Sequence, residues 1–394
     1  MSKAERIAFV SPRFSKTGTV GGAETLIKSL AEHAAAGGRA VTLLTTCAKN
    51  HYTWKNEIPA GSERVGKLDV HHFTVDKRNV KLHQRIDSLI SRNADVSDEE
   101  EQAWLENSVN SRALCAHLTE QGDRYDRIVV GPYLFGAMYN AAMVHPEKTL
   151  LVPCLHDEPF AYLRIMKKLF GAVHGFMFNT DPEQELARRL FEIPENKCAV
   201  VGMGIEPFDA DPSAFSRKHA LPEPYVMYSG RREEGKGMPL LCGYMQTFRE
   251  RTGRDIRIVF TGKGDINASA ELQPAVIDLG FVSEEEKHEA MAGAVAFVHP
   301  STLESLGIVL LESWMVRTPV LAHAGSDVLR WQCERSNAGL WFRNYPEFEH
   351  ELMLLLDRPD VRDELGGNGH AYVEREYSWD SVGKRMFDAL DRDD

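Results

Sequence analysis

Two glutamates eight residues apart, Glu304 and Glu312, lie in HPSTLESLGIVLLESWMVRTPVLAHAGS at 299–326, with Gly307 between them. Carboxylates on either side of a helix start can grip hydroxyl groups, and the start itself offers free N–H groups and a positive dipole end to a phosphate or polar sugar. Upstream, Gly230-Arg231-Arg232-Glu233-Glu234-Gly235-Lys236-Gly237 sets two cations, Arg231 and Lys236, around a glycine-rich turn. Such a pair can clamp a diphosphate and neutralise a leaving nucleotide, although an isolated Arg and Lys on a loop are usually just solvated. His156, in Leu155-His156-Asp157-Glu158-Pro159, follows a strand end, where open α/β sheets bind ligands. It either donates to a sugar hydroxyl near the reacting carbon or makes a structural hydrogen bond. Gly21 and Gly22 close a loop at 15–22, where they either admit an anion close to the backbone or serve only the tight turn.

The elements that must position these groups alternate. Apolar runs at 6–14, 41–46, 69–75, 127–130, 150–155, 176–179 and 199–201 read as strands. A helix at 23–36 ends at Gly37 and Gly38, and a helical section at 97–120 opens on a capping box, Ser97 with Glu100. From 202 to 224 the chain turns irregular, with prolines at 207, 212, 222 and 224, and a domain boundary is read near 203–211. The rhythm then restarts. Strands are read at 225–229, 258–261, 294–298, 320–322 and 339–342, with a further segment at 276–282. Helices begin at Met238, at Ser283 (a second capping box, with Glu286) and near Ile308, and the tail at 370–390 reads as one or two amphipathic helices. This is the pattern of mostly parallel, doubly wound α/β sheets.

With 394 residues the chain exceeds one ordinary core and fits two domains. No apolar run approaches the length of a membrane span, and the N-terminus lacks a signal-peptide pattern. Six scattered cysteines without a C-x-x-C pair read as free thiols of a reducing compartment. Residues 1–200 carry 25 basic and 25 acidic side chains, so the whole net charge of −12 falls on the C-terminal half. No basic face for a nucleic acid is expected. The run at 76–92, five positive charges against two negative, is either a surface for anionic lipid or acceptor phosphate or a solvated helix face. The Asp209-Ala210-Asp211 triplet sits in the irregular stretch after no apolar strand and is read as solvated linker, not as a metal site.

The Glu304/Glu312 spacing resembles the E-x7-E signature of retaining glycosyltransferases of family 4, the group 1 type. Arg231 and Lys236 match that family's G-R-x4-K-G pattern residue for residue, and GGAETLIKSLAEHAAAGGRAVTLLTT at 21–46 looks like its opening. The resemblance implies a GT-B fold, two Rossmann-like domains facing a cleft. The acceptor domain would be 1–203, with the tail 373–394 packing back on it, and the donor domain 204–372. It implies a metal-independent hexosyltransferase without cofactor, moving a mannose- or glucose-type sugar from a GDP- or UDP-sugar to an acceptor hydroxyl. The acceptor would be a glycan or a lipid-linked molecule of envelope polysaccharide, lipopolysaccharide or glycolipid synthesis. The enzyme would be cytoplasmic, with peripheral membrane contact through 77–92.

By the same resemblance Glu304 holds the transferred sugar, Glu312 the two ribose hydroxyls, and Ser305, Leu306 and Gly307 reach sugar or phosphate oxygens. Val282 lies at the base, Gly21 and Gly22 face the diphosphate, and His156 joins Arg231, Lys236 and Glu304 as catalytic groups. Paired carboxylates also suggest a glycosidase-like double displacement, which the ribose role of Glu312 disfavours. A non-catalytic sugar-nucleotide binding protein and another GT-B enzyme, such as an epimerase, are the alternatives.

Overall fold

The computed structural model describes residues 5–16, 21–221 and 224–392, which form two units. The first comprises residues 1–204 and 379–394, the second residues 205–378. Part of the loop at 15–22, residues 17–20, lies outside the described residues, as do 222–223 of the proline-rich stretch and the last two residues of the tail.

Each buried strand of the first unit is short and apolar, because both faces of a parallel sheet are covered by helices. In chain order the elements are β1 (Arg6–Val10), α1 (Gly22–Ala36), β2 (Ala40–Thr46), β3 (Gly61–Val65), β4 (Leu68–Phe73), α2 (Val80–Ile90), α3 (Asp98–Glu106) and α4 (Arg112–Gln121). There follow β5 (Arg127–Val130), α5 (Gly136–Ala142), β6 (Thr149–Leu151), α6 (Arg164–Ala172), β7 (Gly175–Phe178), α7 (Asp181–Phe191) and β8 (Cys198–Val200). The strand order is β3-β4-β2-β1-β5-β6-β7-β8, parallel throughout except for the β3–β4 hairpin. β1 pairs with β2 on one side and β5 on the other, so crossovers diverge there. In such sheets the carboxyl ends of the diverging strands form the ligand crevice.

The helical section expected at 97–120 is two helices. Ser97 and Glu100 form the expected reciprocal box at the start of α3, but the chain breaks after Glu106 and Ser111 caps α4 through Leu114 N. β3, with the polar sequence GSERV, is an added edge strand that the apolar pattern did not reveal.

The second unit runs α8 (Pro212–His219), β9 (Tyr225–Ser229), α9 (Met238–Thr252), β10 (Arg257–Thr261), β11 (Val276–Asp278), α10 (Glu284–Ala292), β12 (Ala296–His299) and α11 (Ile308–Met315). It continues with β13 (Val320–His323), α12 (Asp327–Ser336), β14 (Gly339–Phe342), α13 (Tyr345–Asp357) and α14 (Pro359–Glu376). Its six strands lie in the order β11-β10-β9-β12-β13-β14, every pair parallel. Counted from β9 this is the 3-2-1-4-5-6 order of dinucleotide-binding sheets, with the switch point between β9 and β12.

The stretch read as irregular linker contains α8. Pro212 is tolerated because it stands in the first turn, and Asp211 caps the helix by accepting from Ser213 N at 2.8 Å. Asp211 also pairs with Arg217 at 3.1 Å, so its oxygens are committed to the helix. Only half of the second expected capping box forms. Ser283 accepts from Glu286 N, while the Glu286 carboxylate turns to Lys218 and His219 of α8, at 2.8 and 2.7 Å.

The last helix, α15 (Trp379–Leu390), belongs to the first unit. There the Trp379 ring stacks on His33 of α1, and Arg39 binds Asp391 at 2.6 Å. Among the described residues no helix is long and apolar enough to cross a membrane.

Candidate functional site

The second unit gathers its polar groups where the switch point predicts. The loop after β9 leads through Gly237 into α9, and the loop after β12 leads through Gly307 into α11. Both glycines have left-handed backbones, φ 76° and 78°, and neither helix has a side-chain cap. A Cβ at Gly237 would stand 2.5 Å from the Pro300 carbonyl, so glycine is needed there for space as well as conformation. That close approach brings the two loops together.

Lys236, one residue before Gly237, places Nζ 2.7 Å from Glu304 Oε1 and 3.3 Å from the Leu303 carbonyl. His299, the last residue of β12, lies 3.6 Å from the same carboxylate oxygen. Burial pushes the His299 imidazole down to about 4; Glu304 opposes the shift and Lys236 adds to it. The imidazole is therefore neutral at neutral pH, and Lys236 is the cation beside Glu304. Arg231 is half exposed and pairs with Glu233 at 3.2 Å. Its carbonyl accepts from the buried Tyr228 hydroxyl at 2.7 Å, which holds the loop against β9.

Arg232 is the largest departure from expectation. By the family resemblance it stands where many relatives carry an apolar residue, a difference expected to change little, yet only 3% of its side chain is exposed. Its guanidinium grips both oxygens of Asp278, at 2.5 and 2.9 Å, and donates to the Gly264 carbonyl at 3.0 Å. Asp278 in turn accepts from Gly280 N at 2.8 Å. One buried arginine thus fastens the loops after β9, β10 and β11 to each other. The last of these carries Phe281, 61% exposed, and the half-buried Val282.

Glu312 lies in the second turn of α11 and is not in this cluster. Its partner is Lys287 of α10, with Nζ 3.0 Å from Oε1. Ser305 and Leu306 are buried. The loop they share with Gly307 is held by Gln332, whose amide donates to the Leu306 carbonyl at 3.2 Å and to the Tyr377 hydroxyl at 2.9 Å. Among the described residues, one group of three has metal-ligand atoms within 4.8 Å of one another: Glu284, His288 and Glu312. The Lys287 ammonium contacts both glutamates, so a cation already lies against that group.

In the first unit, α1 starts at Gly22 beneath a buried ion pair, Arg13 to Glu24, at 2.6 Å. Gly21 has extended backbone, so no turn conformation demands glycine; the constraint is space, since a Cβ would stand 2.5 Å from Glu24 Oε2. His156, beyond β6, is mostly buried and lies 3.5 Å from Glu158, which accepts from Tyr133 at 3.1 Å. The preceding backbone is pinned by the fully buried Glu183, which accepts from Leu155 N and Asn179 N at 2.7 and 2.6 Å. The roles of Lys287, Arg232 and Glu183 have no local signal in the sequence, because their partners Glu312, Asp278 and Leu155 stand 25, 46 and 28 residues away.

Residues 210–371, nearly all of the second unit, match the family model for glycosyl transferases group 1. The second unit is a group 1 glycosyl transferase domain. The chain is 28% identical over 226 residues to the alpha-D-kanosaminyltransferase of Streptomyces kanamyceticus, covering 52% of this chain and 57% of that one. It is 27% identical over 215 residues to an uncharacterised glycosyltransferase of Methanocaldococcus jannaschii, covering 50% and 54%. The chain thus spans about half the length of the curated relatives it matches.

Around that domain the whole chain has the GT-B fold. Sucrose-phosphate synthase from Thermosynechococcus elongatus superposes with a TM-score of 0.72 at 18% identity, 97% of each chain being covered. The Anabaena HepE structure with UDP-glucose gives a TM-score of 0.68 at 16% identity, over 98% of this chain and 99% of that one. The group 1 domain therefore carries Lys236, Glu304 and Glu312, and the β9–β12 switch point is its own.

Proposed function

We propose that this protein transfers a hexose from a nucleoside diphosphate sugar to an acceptor hydroxyl, with retention at the anomeric carbon. The observation that carries the reading is the Lys236–Glu304 pair at the switch point of the group 1 domain, where two uncapped helices begin. The relatives support a nucleotide-sugar donor. One is a kanosaminyltransferase and another, from Corynebacterium glutamicum, a GDP-mannose-dependent mannosyltransferase, while HepE is seen with UDP-glucose.

In this reading Glu304 accepts hydroxyls of the transferred sugar and Glu312 those of the ribose. As the bond from the anomeric carbon to the diphosphate breaks, charge grows on the leaving phosphate oxygen. Lys236, Arg231 and the N–H groups opening α9 and α11 stabilise it. The acceptor oxygen bonds to the anomeric carbon on the face the phosphate leaves, and its proton passes to that phosphate oxygen. Neither glutamate acts as a nucleophile. Two fixed cations supply the charge that a divalent metal would otherwise provide.

His156, Gly21 and Gly22 are assigned to the first unit's share of the substrates, with a glycan or lipid-linked acceptor of envelope polysaccharide, lipopolysaccharide or glycolipid synthesis. Location at the inner face of a membrane draws support from α2, where Lys81, Arg85 and Val80 are exposed together. Transfer from radiolabelled GDP- and UDP-hexoses to an acceptor panel, with the anomeric configuration of the product read by NMR, tests the proposal. An inverted product or no turnover of any donor contradicts it.

A further inference from the structure

Glu312 has a neighbour that the assigned chemistry does not account for. Lys287 projects from α10 toward α11, and its ammonium contacts Glu284 of its own helix as well as Glu312. Only 13% of the Lys287 side chain and 14% of the Glu312 side chain are exposed. A carboxylate buried that far is driven toward its neutral form unless a cation lies against it. Burial does raise the Glu312 carboxyl above its ordinary range, and Lys287 draws it back. Burial also works against the Lys287 charge, but Glu312 and Glu284 outweigh it and lift the amine above its ordinary range.

Other groups do not replace this lysine. His288, the next residue of α10, stacks on Phe208 at 3.6 Å and is pushed down to about 4 by burial, so it is neutral. Glu312 Oε2 accepts no hydrogen bond, although Lys287 Nζ lies 3.0 Å away. An ionised carboxylate with spare lone pairs accepts from two hydroxyls at once. The neutral acid has an O–H of its own to place and accepts more weakly.

We propose that Lys287 is a positioning residue for ribose recognition, holding the buried Glu312 carboxylate ionised and aimed so that it accepts both hydroxyls of a vicinal diol. The inference rests on the ribose role given to Glu312 above. It makes Lys287, not Glu312 alone, the source of preference for a ribonucleotide over one lacking the diol.

The test is calorimetric titration of the full chain with UDP and GDP and with their 2′,3′-dideoxy forms. The wild type is expected to favour the ribose form, and Lys287→Met to lose about 10–100-fold in affinity for it while binding the dideoxy form as before. Lys287→Arg, which keeps the charge, should restore most of the preference, which a purely structural role would not require. If Lys287→Met unfolds, Lys287→Gln carries the same comparison, because its amide can still donate to Glu312 without a charge; the same loss of preference is expected. A Met or Gln variant that keeps the wild-type preference, or binds the ribose form more tightly, overturns the inference alone. A wild type that binds neither UDP nor GDP overturns the donor reading and the inference with it.

Discussion

The Lys236 ammonium and the Glu304 carboxylate lie 2.7 Å apart although 68 residues separate them in sequence. One arrives from the turn after β9 and the other from the loop after β12, and Gly237 against Pro300 lets those loops meet. In the proposed function, the pair sets the sugar-binding carboxylate beside the cation that receives a leaving phosphate.

Removing that cation should act on the chemical step. Lys236→Ala is expected to lower kcat by about 10²–10³, the usual cost of losing one donor to a developing anion. Arg231→Ala should fall in the same range, with donor phosphate taking the half-exposed Arg231 from Glu233. Steady-state kinetics check both, and undiminished turnover in either variant removes that residue from the clamp.

The two glutamates should separate kinetically. Glu312→Ala is expected to weaken binding of the nucleoside diphosphate alone by about 10-fold or more, as loss of a charge-assisted acceptor would. Glu304→Ala should leave that affinity within about 3-fold and lower turnover of the complete sugar nucleotide instead. Equal losses of nucleotide affinity in both would erase the division of roles.

Acid should destabilise the fold through two buried histidines. His299 and His288 are both pushed down to about 4, chiefly by burial. Between about 6.5 and 4 the unfolded chain binds protons there that the folded one refuses, so stability is present above 6.5 and falls as pH drops through that window. His299→Phe should flatten part of the slope. Urea unfolding across pH 4–7 measures it, and identical slopes in variant and wild type would show that His299 contributes nothing.

Breaking the Arg232–Asp278 pair should be costly in one direction. Asp278→Ala strands a guanidinium that is 3% exposed, at about 3 kcal/mol. Arg232→Met leaves only a carboxylate that is 49% exposed, so its electrostatic cost is smaller. Urea denaturation of both variants checks the order, and the reverse order would mean that packing, not charge, dominates at Arg232.

What the sequence showed of this site was its local spacing. Glu304 and Glu312 share one segment, Arg231 and Lys236 share one turn, and the strands that deliver them are short apolar runs. Arg232 could be weighed only with Asp278, 46 residues on, and Lys287 only with Glu312, 25 residues on. Helix α14 was legible only in its last turns, within the helices read at 370–390, for a different reason. Its glycines at 366, 367 and 369 read as breakers, yet Gly366 backs onto the Arg317 carbonyl and Gly369 onto the Trp314 ring. They are there to let two helices touch.

A thermal-shift screen of wild type and Lys236→Ala against GDP-, UDP- and ADP-hexoses tests the central claim most directly. One donor class is expected to raise the melting temperature of the wild type, with most of that rise lost in the variant. No shift with any donor, or an equal shift in both proteins, would contradict a donor site built on Lys236 and Glu304.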